Sequence, residues 1–146
     1  MKENIDMNWI GDIKKEEDEI YKENILDHFR YPHNFGKLDK CTFKHLENNP
    51  VCGDKIEMFV LLKGNIIKDV KFSGSGCAIS IASASMLTDK LKELTISEVK
   101  KIEEEAIIKM LGINLGFVRK KCGLLGLKVI LKGINKMEIE NEQIRS

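Results

Sequence analysis

Apolar residues Ile20, Ile25, Leu26 and Phe29 recur at helical spacing, so a helix is predicted there. It should stop near Arg30, because the residue ahead of Pro32 is pushed out of the helical region. Residues 31–36, Tyr-Pro-His-Asn-Phe-Gly, read as a turn or loop. The pattern then changes period. Residues 55–62 are apolar and partly alternating, and 66–72 alternate less strictly. Lys63-Gly64-Asn65 supplies a tight turn between them, which predicts a β-hairpin. An earlier strand around 42–46 would complete a three-stranded antiparallel sheet.

The second half is predicted to be helical. Ser73-Gly-Ser-Gly76 ends the hairpin, and residues 77–91 form a helix. Its face of small residues (Ala78, Ala82 and Ala84, with Ser80, Ser83 and Ser85) lets it lie close against a sheet. Ser97-Glu98 and Glu103-Glu-Glu105 fit one or two short helices, and a last helix runs from about 119 to 134, apolar on most sides. Strands followed by helices indicate an α+β fold, a three-stranded antiparallel sheet packed against about five helices.

The ends differ from this middle. Residues 1–20 carry Lys2, Lys14 and Lys15 against seven acids and lack a sustained apolar period. The expected organisation is a flexible leader over 1–18, turning helical near Ile13 or Glu16, one domain over 19–136 and a polar tail over 137–146. Hydrophobic residues are 42% and charged residues 32% of the 146, enough to build a core in a single domain. Lys plus Arg number 24 against 23 acids, a net charge of +1 that argues against nucleic-acid binding by bulk charge. No apolar run approaches the ~20 residues that span a bilayer, and the acidic start does not fit an export signal. The expectation is a cytoplasmic protein with neither a membrane nor a nucleic acid as partner.

Four cysteines remain, Cys41, Cys52, Cys77 and Cys122, with no Cys-x-x-Cys among them. Reduced thiols of this kind point to metal binding or sulfur chemistry, at a site the fold must gather from distant segments. Cys52 lies in Pro50-Val-Cys-Gly-Asp54, where a thiolate and a carboxylate two residues apart on a rigid turn can face one cation. Cys-Gly-Asp also arises often by chance. Cys77 follows Gly74 and Gly76 at a helix start, where free N–H groups and the helix dipole favour a thiolate. A buried cysteine at a strand-to-helix corner explains the same pattern, and a phosphate cradle lacks the residues that should follow it. Cys122 follows Arg119-Lys-Lys121, whose charges and helix start again favour thiolate. Residues 106–137 hold seven Lys or Arg and no acid, which fits either a basic rim or compensation for clustered anionic ligands. Cys41 has no such context and reads as an ordinary thiol; nothing selects His28, His33 or His45 as a ligand.

Several segments together resemble the IscU/NifU-type iron–sulfur assembly proteins, in detail the SufU-like branch. They are residues 20–36, Asn49-Pro-Val-Cys-Gly-Asp54, the run from Phe72-Ser-Gly-Ser-Gly-Cys77 to Met86, and Val118-Arg-Lys-Lys-Cys122. The resemblance spans roughly residues 19–134 and implies the IscU/SufE/NifU-like fold. It implies Cys52, Asp54, Cys77 and Cys122 as ligands. It implies a scaffold that takes sulfur from an IscS/SufS/NifS-like cysteine desulfurase, builds a transient [2Fe–2S] cluster with iron and hands it to apo-proteins, a carrier more than a conventional enzyme. The SufU-like alternative holds Zn²⁺ and relays persulfide sulfur as a sulfurtransferase. Cys52 or Cys122 would accept the sulfur, Cys52 preferentially on its exposed turn, while Asp54 supplies a weaker, more exchangeable corner. The branch markers are mixed. Lys121 stands where scaffolds usually have His, and Leu115-Gly-Phe-Val-Arg119 replaces the chaperone-recognised Leu-Pro-Pro-Val-Lys. Yet Cys77 and Cys122 are only 45 positions apart, as in the scaffold branch.

Overall fold

A computed structural model describes residues 7–145, with side chains over 19–144. The elements are α1 (Met7–Arg30), β1 (Phe43–Asn49), β2 (Asp54–Lys63), β3 (Ile66–Ser75), α2 (Ala78–Leu91), α3 (Ile96–Lys100), α4 (Glu104–Leu111) and α5 (Phe117–Arg145). The strands form one antiparallel sheet in the order β1-β2-β3. Lys63 pairs with Ile66, leaving Gly64, with φ +64°, and Asn65 at the hairpin tip. The expected α+β architecture of one three-stranded sheet and five helices is what is found.

Strand alternation decides what faces the helices. Along β2 the residues Asp54, Ile56, Met58 and Val60 are buried at every second position, so a carboxylate ends a column of core side chains. Asn49 of β1 pairs directly with Asp54, and residues directly opposite one another in an antiparallel ladder share a face. Ile67, Val70 and Phe72 of β3 complete the sheet's contribution to the core. Helices α2 and α5 pack on the sheet and on each other, and α1 packs against α2.

Helix α2 is buried along nearly its whole length, so its hydroxyls need partners inside the protein. Ser83 Oγ donates to the Gly123 carbonyl of α5 at 2.6 Å. Ser85 Oγ accepts from the His33 N–H at 2.7 Å and lies 2.7 Å from His28 Nδ1. Thr88 Oγ1 donates to the Ser85 carbonyl. The small residues, expected to bring α2 close to the sheet, also dock it against α5 and α1. Ala84 lies against α5 near Gly126, where an added Cβ would meet its Cα at an ordinary contact distance of 3.5 Å.

Three boundaries differ from expectation. Helix α1 begins at Met7 instead of near Ile13 or Glu16: residues 7–13 contain no Pro and extend the helix of the Lys- and Glu-rich run that follows, although Asn8, Gly11 and Asp12 are weak helix formers; residues 1–6 of the expected leader lie outside the described residues. Helix α5 continues to Arg145 rather than ending near Ile134, because residues 135–145 contain no Pro or Gly, and Glu138 pairs with Lys100 at 2.5 Å. Strand β3 runs on to Ser75 through the expected Ser-Gly-Ser-Gly break. Gly74 permits this, since a Cβ there would sit 2.0 Å from the Lys55 carbonyl oxygen.

Leu87→Ala, at a fully buried position, should cost about 3 kcal/mol of unfolding free energy in a denaturant titration. Ser83→Ala should cost about 1 kcal/mol by freeing the buried Gly123 carbonyl. A neutral Ser83→Ala would show that this hydroxyl does not fasten α2 to α5.

Candidate metal centre

Three segments converge at one place: the β1–β2 turn, the start of α2 and the second turn of α5. The turn is closed by the Asn49 carbonyl, which accepts from the N–H groups of Cys52 (3.2 Å) and Gly53 (2.8 Å). Gly53 has φ +75°, a left-handed conformation that favours glycine. This lifts Cys52 to an exposed position while Asp54 enters β2 fully buried. From α5, Cys122 brings its Sγ to 3.2 Å from Cys52 Sγ. One ligand atom from each of Cys52, Asp54 and Cys122 lies within 4.8 Å of the other two.

Cys77 caps the N-terminus of α2 and addresses the same carboxylate. Its N–H donates to Asp54 Oδ1 at 2.9 Å, and its Sγ lies 4.0 Å from Oδ2 and 3.8 Å from Ser80 Oγ. Gly76 makes this approach possible, since a Cβ there would come within 2.4 Å of Asp54 Oδ1. The structure thus brings together all four residues singled out in the sequence. Cys41 stays apart, preceding the opposite end of β1. His28 and His33 lie ring against ring, tilted by 50°, at the far half of α2, where His33 contacts Asp89, and His45 pairs with Glu47.

The electrostatics call for a cation. Asp54 is 0% exposed, and among the described residues no Lys or Arg pairs with it; its partners are an N–H group and thiols. A buried carboxylate without a counter-charge is costly. Burial pushes the Cys122 thiol well above the usual range, with hydrogen bonding to Asp54 and Cys52 adding to it. This corrects the expectation that Arg119-Lys-Lys121 and a helix start hold Cys122 as a thiolate. The three cations are exposed, Lys121 Nζ lies 5.0 Å over the Phe117 ring, and α5 begins at Phe117, which puts Cys122 beyond its first turn. Ionisation of this sulfur therefore needs a cation in the pocket itself, so metal binding would release protons. Three sulfurs and one oxygen suit either Zn²⁺ or an iron–sulfur cluster.

The family model for the NifU-like N-terminal domain matches residues 20–143. The chain belongs to that family. Among relatives of this NifU-like chain, the zinc-dependent sulfurtransferase SufU of Bacillus subtilis (strain 168) is 35% identical over 138 residues, covering 83% of this chain and 93% of that protein. The iron–sulfur cluster assembly scaffold protein IscU 1 of Archaeoglobus fulgidus is 40% identical over 115 residues, covering 79% of this chain and 74% of that protein. A crystal structure of a nitrogen-fixing NifU-like protein (N-terminal) from Brucella abortus superposes with a TM-score of 0.68 at 18% identity. It covers 83% of this chain and 96% of that one, and shows the shared fold.

Sequence reasoning quoted Asn49 only inside a motif and Ser80 only in a small face, and it noted Gly76 before Cys77 without its contact to Asp54. An Asn before a Pro is a turn signal, and a Gly beside a cysteine at a helix start signals close approach, so both were detectable as geometry if not as chemistry.

Mild oxidation of metal-free protein with diamide should join Cys52 to Cys122, leaving Cys41 free, as read by peptide mass spectrometry under non-reducing conditions. A dominant bridge to Cys41 would contradict the arrangement described.

Proposed function

We propose that this protein is an iron–sulfur cluster assembly scaffold, which accepts sulfur from a cysteine desulfurase, assembles a transient [2Fe–2S] cluster and passes it to apo-proteins. Cys52, Asp54, Cys77 and Cys122 are its ligands. One observation carries this reading. Two sulfurs and a buried carboxylate lie within 4.8 Å of one another, with a third sulfur against the same carboxylate and two of the three sulfurs open to solvent.

The residues divide the work by position. Cys52 is the sulfur acceptor, because it is exposed on a turn while Cys122, the other candidate, is 1% exposed. Its thiolate attacks the terminal sulfur of the donor's persulfide. A new S–S bond forms on Cys52, the donor's own S–S bond breaks, and the donor leaves as a thiolate with no net oxidation. Cys77 and Cys122 flank the product, on two helices that the Ser83–Gly123 bond holds together. Asp54 provides a hard oxygen among soft sulfurs, a weaker corner suited to cargo that must leave.

A second reading has its own support. The Bacillus subtilis relative is a zinc-dependent sulfurtransferase, and Lys121 stands before the last cysteine as in SufU-like proteins. In that case the same four residues hold Zn²⁺, which when bound keeps the thiols ionised, and Cys52 relays the persulfide sulfur onward.

Anaerobic reconstitution with iron and sulfide separates the two. A visible chromophore with loss of zinc is expected for the scaffold, whereas retained zinc and a persulfide adduct on Cys52 support the relay. Neither outcome in the intact protein would overturn both. Asp54→Ala should lengthen cluster lifetime several-fold under chelator challenge, and an unchanged lifetime would remove the lability role from Asp54.

A further inference from the structure

We propose that Asn49 is the positioning residue of this centre: its side-chain amide donates to Cys122 Sγ and, with the same residue's carbonyls, ties that sulfur to the turn bearing Cys52. The proposal rests on Cys122 being a metal ligand.

Asn49 is 7% exposed, so its amide must be satisfied internally. Each of its polar groups on this side is committed. The main-chain carbonyl accepts from Cys52 and Gly53. The side-chain Oδ1 accepts from the Val51 N–H at 3.3 Å, and Nδ2 donates to Cys122 Sγ at 3.7 Å. The contact with Val51 fixes which end of the amide faces the sulfur. If the amide were reversed, Oδ1 would oppose the sulfur lone pairs and an N–H would oppose another N–H. Because Asn49 also pairs across the ladder with Asp54, one residue sets the relative position of Cys52, Asp54 and Cys122.

The amide does more than fill space. Cys122 is 1% exposed and belongs to the hydrophobic core, a setting that disfavours a thiolate. An N–H donor aimed at the sulfur stabilises the anionic form and withdraws electron density from it. A sulfur held and polarised in this way gives less charge to the metal. Asp at this position would turn an oxygen towards the sulfur. Ser or Thr would keep an oxygen for the Val51 N–H but could not donate across the gap to Cys122.

The test uses Zn²⁺ alone and Co²⁺ alone as probes on the full chain, comparing wild type with Asn49→Ser and Asn49→Thr. Zinc affinity, measured by competition with a chromophoric chelator, should fall about tenfold in both variants. The sulfur-to-cobalt charge-transfer band should move to lower energy, because a sulfur without its donor is more easily oxidised. Band energy reports only folded, metal-bound molecules, so partial unfolding of one variant does not imitate the shift. An unmoved band together with unchanged zinc affinity would overturn the role of Asn49 while leaving the ligand set intact. A wild-type protein with no sulfur-to-cobalt band would overturn the ligand set and this inference with it.

Discussion

The burial of one carboxylate organises this molecule. Asp54 takes its place in a strand column otherwise occupied by Ile56, Met58 and Val60, and the period of the strand leaves it no route to solvent. Everything placed around it reduces the cost of that position. The N-cap of α2 turns an N–H towards it, Gly76 makes room for the approach, and α5 delivers a thiol to its far side. A lysine at the same place would neutralise the charge permanently. Neutral donors instead leave the pocket short of positive charge, which is the condition a divalent ion or an iron–sulfur cargo satisfies.

The same arrangement separates holding from exchanging. Cys122 and Asp54 are sealed, whereas Cys52 and Cys77 open outward, so half of the proposed donor set is fixed by the core and half is reachable from outside. A fully enclosed tetrahedron would suit a structural ion. A half-open one suits sulfur arriving and cargo leaving. The buried side provides rigidity through α2 and α5, which Ser83 and the small residues facing Gly126 draw together.

Much of this could be read from the chain because its signals were local. Alternation in residues 55–62, a Gly in the hairpin turn and a small-residue face on the following helix each depend on near neighbours, and each became the element expected. All four candidate ligands were found by context: a turn, a helix start and a basic run. The misreadings arose where tertiary surroundings override local cues. Arg119-Lys-Lys121 suggested a thiolate at Cys122, yet those cations point to solvent and the sulfur is controlled by burial. Residues 137–146 looked like a tail because they are polar, but polar residues without breakers extend a helix that is already nucleated. Asn49 was invisible as chemistry, since its partner is Cys122, 73 positions away.

Cys122 belongs to the last helix, whereas Cys52, Asp54 and Cys77 all precede it. During translation the sheet and α2 emerge first, so the nascent polypeptide displays three donors around an incomplete pocket before the fourth is made. A pocket holding all four groups therefore forms only after α5 has been made and has docked.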